Sequence, residues 1–311
     1  MTERPPVPGL VRTRTPHDLR TALRAALARP EPLVVPGVTD AMSARLTERQ
    51  GFGAAYVTGA GMSNAQYGLP DVGLVSLAEV VENVGRLTAA VDLPLIVDAD
   101  TGYGGPVSAM RTLTLLERAG AAAIQFEDQE MPKRCGHFDN HSLVPTGHMQ
   151  SKLDAALQAR QDDALVVVAR TDARSAEGSI QAAIDRAGAY LDAGADVLFV
   201  EAPRTVEELE MVGRSFPDVP LVVNVVEGGR TPALTAPEYA ELGFGIVLYA
   251  NFLMRAAIRA ESDALAYLRE HGETAGFADR IVSWQERQEL FDLPQTLQAE
   301  AFYDVPWEER P

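Results

Sequence analysis

Ala119-Gly120-Ala121-Ala122-Ala123-Ile124-Gln125-Phe126-Glu127-Asp128 reads as one joint of a repeating fold. Gly120 closes a stretch of helical periodicity, where a left-handed cap is most often glycine. Ala121 to Phe126 is an almost continuous apolar run of strand length. Such a run suits a parallel strand buried on both faces. It then stops in two carboxylates.

The same phrase recurs along the chain. Gln50-Gly51-Phe52-Gly53, Asp192-Ala193-Gly194-Ala195 and Glu241-Leu242-Gly243-Phe244 each lead from a helical stretch into a strand-like one. Eight apolar runs result, at residues 33–38, 54–58, 93–98, 121–127, 164–170, 196–201, 219–224 and 245–249. Helical spacing fills 40–50, 77–90, 107–119, 148–161, 179–193, 205–215 and 236–242. Eight strand–helix units predict an α/β protein of the (β/α)8 TIM-barrel type. The rival, an open doubly wound sheet, calls for Gly-x-Gly-x-x-Gly after the first strand, and none stands there.

Residues 1–15 read as a loose arm and 16–27 as a helix before the barrel. From about Asn251 the chain reads as helical, with helices at 252–269 and 278–291 and a break at Gly272 and Gly276. The tail carries Leu297, Phe302, Tyr303 and Trp307, too sparse an apolar set to fold alone. The expected division is 1–260 for the barrel with its arm, and 261–311 for a helical extension packed on a neighbouring subunit.

The net charge of −17 disfavours a general nucleic-acid or anionic-membrane surface. A small anionic substrate would therefore need a local cationic site. One cysteine excludes an intramolecular disulfide and fits a reducing compartment, so a cytoplasmic location is expected. Residues 1–8 lack the apolar core of a signal peptide. No apolar run approaches the roughly 18 residues that span a bilayer.

In such a barrel the active site forms at the C-terminal ends of the strands. Unusual polar residues gather at those ends: Thr58, Asp98 and Asp100, Glu127 and Asp128, Arg170 and Asp172, Glu201, Asn224 and Asn251. Asp98 and Asp100 are two apart, so on a strand they share a face. With Glu127 on the adjacent strand they form an expected all-oxygen cluster for Mg²⁺ or Mn²⁺. Asp71, in a loop expected to fold over the strand ends with Ser63-Asn64 and Gly68-Leu69-Pro70, either supports the ion through water or caps the helix starting near Ser76. A free cysteine is more often inert packing. Cys135, however, is flanked by Lys133, Arg134 and His137, which would lower its pKa, and by Pro132 and Gly136, which mark a loop. His137 reads as either a solvated loop residue or a substrate contact; His141 and His148 read as surface residues.

These motifs resemble the isocitrate lyase / phosphoenolpyruvate mutase superfamily, in particular its 2-methylisocitrate lyase-like branch. The resemblance spans about residues 35–260. It rests on Gly68-Leu69-Pro70-Asp71, Asp98-Ala99-Asp100 with Tyr103-Gly104, and Glu127-Asp128-Gln129. Lys133-Arg134-Cys135-Gly136-His137, Ala169-Arg170-Thr171-Asp172-Ala173 and Asn224 to Gly229 add to it. The resemblance implies a barrel whose eighth helix is exchanged between subunits, in a dimer of dimers. It implies Mg²⁺ at Asp98 and Asp100 with Glu127 nearby, and substrate oxygens on the backbone of Thr58, Gly59 and Ala60. Further substrate contacts fall to Arg170, Glu201, Asn224 and Arg255, with Gly136 and His137 beside the cysteine. It implies a gating loop on which Cys135 protonates the carbanion left by C–C cleavage.

Three departures narrow the substrate. Phe138 stands where 2-methylisocitrate lyases tend to have arginine, His141 where a lysine often follows, and Ala250-Asn251 where the lyase pattern has Pro-x-Ser. Losing an arginine removes a bidentate carboxylate partner. The expectation is a lyase for a small 2-hydroxy or 2-oxo dicarboxylate, with Arg170 stabilising developing charge and Tyr56 a candidate base. The rivals are a phosphonomutase of the carboxyphosphonoenolpyruvate mutase kind, an oxaloacetate decarboxylase or hydrolase, and a non-enzymatic barrel.

Overall fold

In the computed structural model, residues 11–134 and 142–307 are described. The chain opens with α1 (Pro16–Leu27), fixed by Pro16 and a Thr15/Asp18 capping box. Then follow β1 (Leu33–Val38), α2 (Ala41–Arg49), β2 (Ala55–Val57), α3 (Gly59–Tyr67), α4 (Leu77–Ala90) and β3 (Leu95–Asp98). Next come α5 (Pro106–Arg118), β4 (Ala123–Glu127), α6 (Thr146–Ala159), β5 (Val166–Thr171), α7 (Ala173–Ala176) and α8 (Ile180–Asp192). The barrel finishes with β6 (Val197–Val200), α9 (Val206–Ser215), β7 (Leu221–Asn224), α10 (Ala236–Glu241) and β8 (Ile246–Tyr249).

The eight strands are parallel and closed in sequence order, β1 pairing with β8 from Leu33↔Ile246 to Pro36↔Tyr249. The expected (β/α)8 barrel is what the chain forms. Gly120 and Gly194 take φ of 95° and 100°, the left-handed turn that carries each preceding helix into its strand.

Two apolar layers build the core. Outward-facing strand residues such as Val57, Val97, Ile124, Val167 and Leu198 pack under the helices. Inward-facing ones, including Tyr56, Ile96, Val168, Phe199, Val222 and Leu248, fill the barrel itself. Leu23 of α1 joins that inner layer, so α1 plugs the N-terminal mouth. Buried Arg20 secures it, donating to the carbonyls of Ala121 and Glu117 at 3.0 and 2.6 Å and to Asp162 at 2.8 Å.

Two expectations are corrected. The segment read as a loop at Ser63-Asn64 lies in α3. Gly59-Ala60-Gly61 masks the helix because glycine is a poor helix former. Thr58 caps it, and a Cβ on Gly61 would stand 2.4 Å from Thr58 Cγ2. The helix expected over 278–291 is instead a 3₁₀ turn (Ala275–Arg280) and α12 (Trp284–Leu290), separated where a Ser283/Glu286 capping box starts a new helix.

After β8 come α11 (Phe252–His271), none of whose residues is buried, and, last, α13 (Leu293–Tyr303), so the tail is helical. Asp292 ties it back to α2 through Arg45, at 2.6 Å. An apolar groove between α2 and α11, lined by Pro36, Leu46, Phe52, Tyr249 and Phe252, remains open in the single chain.

Candidate active site

Strand periodicity assembles the site. In β4, Gln125 points into the barrel, and two residues on, at the strand's end, so does Glu127. Register places Glu127 opposite Arg170 and Asp98 opposite Gln125. Asp98, Glu127, Arg170, Glu201 and Asn224 thus form a polar crown above the apolar barrel interior. They line one pocket with Tyr56, Thr58, Ala60, Asp71, Lys133, Arg134 and Asn251.

Arg170 is the hub. Its Nε and one terminal nitrogen donate to the two carboxylate oxygens of Asp172 at 3.0 and 2.9 Å. Glu127 and Glu201 each lie 3.6 Å from it, and the ring of Phe199 sits beneath the guanidinium at 5.2 Å. Asp172 is fully buried. The sequence places it at a strand end, but its fork on Arg170 is visible only in three dimensions.

Asp98 and Asp100 converge, by a route other than strand alternation. β3 ends at Asp98, and Asp100 lies beyond it in a left-handed turn with φ 46°. The Asp100 amide donates to Asp98 Oδ1 at 3.1 Å. Both carboxylates border Gly59, where a Cβ would stand 3.0 Å from Asp98 Oδ2 and 3.4 Å from Asp100 Oδ1. The first turn of α3 therefore meets the carboxylate pair.

An ammonium stands against the expected all-oxygen cluster. Among the described residues, no three His, Cys, Asp or Glu side chains are grouped to hold an ion by themselves. Lys133 stands beside these carboxylates. Its ammonium is buried, bonds Asp71, and lies 2.8 Å from Asp100 Oδ1. Burial lowers the affinity of Lys133 for its proton, but Asp100, Glu127, Asp98 and Asp71 outweigh this and hold it charged. Lys133, expected beside Cys135, turns into the site. Asp71 holds Lys133, while Ser76 itself caps α4.

Burial also raises the Asp100 carboxyl, to about 6 against the pull of Lys133, and pushes Glu127 well above the usual carboxylate range. Among the described residues, Glu127 Oε1 and Asn224 Oδ1 are buried without a hydrogen-bond partner. Tyr56 is buried, and both burial and the Asp98 charge disfavour its phenolate. It serves better as a neutral hydrogen-bonding group than as a base.

Arg255 is not brought into the pocket. It sits half-exposed on α11, donating to the Glu227 carbonyl at 2.7 Å and its carboxylate at 3.0 Å. Arg134 is brought in, its backbone held by the Gln129 side chain, which accepts from the Arg134 amide at 2.9 Å and donates to its carbonyl at 2.8 Å. Cys135, Gly136, His137, Phe138 and His141 lie outside the described residues.

A closed parallel barrel with buried acids and an arginine at its C-terminal mouth defines an enzyme-type site for a small polar ligand. The comparisons specify the kind. The phosphoenolpyruvate phosphomutase family matches residues 23–269, and the chain belongs to this phosphoenolpyruvate mutase / isocitrate lyase superfamily. It is 40% identical to the 2,3-dimethylmalate lyase of Eubacterium barkeri over 90% of this chain and 96% of that one. It is 42% identical to the 2-methylisocitrate lyase of Bacillus subtilis strain 168, over 89% of each. Both relatives are carbon–carbon lyases. A phosphonopyruvate hydrolase solved with oxalate and Mg²⁺ superposes with a TM-score of 0.83 at 33% identity, covering 93% of this chain and 99% of that one.

Proposed function

We propose that this chain is a Mg²⁺-dependent carbon–carbon lyase for a small 2-hydroxy dicarboxylate. The observation that carries the reading is Arg170, fixed by Asp172 beside the Asp98–Asp100 pair at the mouth of the barrel. The pocket lining holds four carboxylates, Asp71, Asp98, Glu127 and Glu201, against three cations, Lys133, Arg134 and Arg170. A dicarboxylate needs further positive charge there.

A divalent ion fits. Mg²⁺ commonly takes one or two carboxylates and keeps waters, so Asp98 and Asp100 would hold it, with Glu127 nearby. Gly59 leaves the space beside them clear, and among the described residues Glu127 Oε1 is buried with no hydrogen-bond partner. When bound, the ion would polarise the substrate's hydroxyl and carboxylate oxygens.

The chain's own groups do the rest. The substrate's C2–C3 bond breaks, leaving a 2-oxo acid and a carbanion stabilised by the adjoining carboxylate. Arg170 and the amides opening α3 stabilise the developing negative charge. Glu127 Oε1 is the open acceptor for the hydroxyl proton. The Cys135 thiol returns a proton to the carbanion, as the family resemblance implies. Loss of the arginine at position 138 and Asn251 on the pocket wall favour a malate-sized substrate over a tricarboxylate.

The open groove between α2 and α11 and the exposed Ile258, Leu265 and Leu268 support assembly with other copies of the chain, as a helix-exchanged dimer of dimers. A cytoplasmic location belongs to the same reading; no helix among the described residues is long and apolar enough to cross a membrane.

The test is turnover on a panel of substituted malates, oxaloacetate and phosphonates, with stripped and Mg²⁺-reloaded protein. Release of 2-oxo acid from a malate only after reloading supports the reading. Action on phosphonates alone would transfer it to the mutase class.

A further inference from the structure

We infer that Asp128, locked from outside the barrel by Tyr190 and Arg186, is a positioning residue for Arg170. Asp128 directly follows Glu127, the last residue of β4, yet takes no part in lining the pocket. Its carboxylate is completely buried and collects donors from three directions. The hydroxyls of Thr171 and Tyr190 each donate at 2.7 Å, the backbone amide of Asp172 at 3.0 Å, and Arg186 at 3.4 Å. Arg186 also donates to the Tyr190 hydroxyl at 3.3 Å.

The consequence follows from where those donors sit. Thr171 and Asp172 are the two residues after Arg170, at the point where β5 turns into α7. Asp128 holds both, so the Asp172 carboxylate is presented as a rigid fork to Arg170. Arg170 then has one orientation in which its remaining nitrogen lies toward Glu201, at 3.6 Å. Tyr190 and Arg186 belong to α8, outside the strands, and immobilise Asp128 in turn. A guanidinium preorganised in this way loses less freedom on binding an anion. The arrangement also gives every oxygen of a buried carboxylate a partner, without which its burial would be costly.

The inference rests on the reading that Arg170 meets an anionic substrate, and its test separates the two. Asp128→Asn puts an amide donor among four donors; Tyr190→Phe removes one hydroxyl and keeps the ring. Crystal structures of both variants without ligand show whether the Arg170–Asp172 fork persists. Calorimetry then measures oxalate binding with Mg²⁺ present, and Mg²⁺ binding alone. The expected result is a displaced Arg170 and an oxalate affinity lower by about tenfold or more, the usual scale for outer-sphere partners, with Mg²⁺ binding unchanged. Where a substrate turns over, kcat falls more than KM rises. A fork left intact with parental oxalate affinity and only a lower Tm would overturn the inference, because support of the fold alone predicts that pattern. If Asp128→Asn does not fold, Tyr190→Phe decides the matter by the same readouts. If the parent binds no oxalate, the substrate reading fails, while the fork in the variant crystals still decides the positioning role.

Discussion

Lys133 Nζ lies 2.8 Å from Asp100 Oδ1, placing a buried ammonium against one of the two carboxylates proposed to hold the metal. The pair neutralises charge that burial would otherwise make costly. It also sets Lys133 and a divalent cation in opposition, since both are drawn to Asp100.

Lys133→Met should therefore tighten Mn²⁺ binding, by about tenfold or more. Two unit charges 4 Å apart exchange about 4 kcal/mol at an effective dielectric of 20, so even a third of that amounts to a factor of ten. Calorimetry or the Mn²⁺ spin signal measures it. Weaker binding would show that Lys133 organises the carboxylates instead of competing for them.

Leu23→Ala should destabilise the barrel by about 2–5 kcal/mol, the range for a fully buried leucine. Leu23 is 0% exposed and closes the inner apolar layer from below. The site lies at the opposite end, so activity per folded molecule should hold. Denaturant unfolding alongside turnover checks both halves.

Asp162 gives a pH dependence of definite sign. Burial raises its carboxyl, but hydrogen bonds from Arg20, the Ala164 amide and His17 outweigh this and bring it to about 2. A carboxyl depressed on folding stabilises the protein above its unfolded value, and that contribution fades as pH falls from about 4 towards 2. Asp162→Asn should lower Tm at neutral pH, and the gap to the parent should narrow in acid. A gap independent of pH would place the effect in packing.

The strand framework was open to reading because both-face burial leaves unbroken apolar runs. Residues 33–38 match β1 to the residue, and the polar ends of the later runs became the crown of the pocket. The position of Lys133 was not legible, because it depends on a loop turning inward between Asp71 and Asp100. The Asp172 fork was hidden for a similar reason: Arg170 and Asp172 look like strand alternation until β5 meets α7. Arg255 misled because its competitor, Glu227, becomes its neighbour only through the fold.

Cys135→Ser should reduce turnover by about 10²–10⁴, the contribution of a positioned general acid, since serine is a far weaker acid than a thiol. Mg²⁺ affinity should hardly change, because a hard cation does not draw on that residue. Near-parental turnover would remove the thiol from the mechanism.

The lyase reading meets its most direct test in proton NMR of the Mg²⁺-loaded protein with 2,3-dimethylmalate and other substituted malates in deuterated water. Cleavage between C2 and C3 yields a 2-oxo acid and a carboxylate carrying one deuterium at the former C3, and the signals should vanish with a chelator or with Asp98→Ala. Products formed at an undiminished rate by Asp98→Ala, or no 2-oxo acid from any malate under metal-saturated conditions, would contradict it.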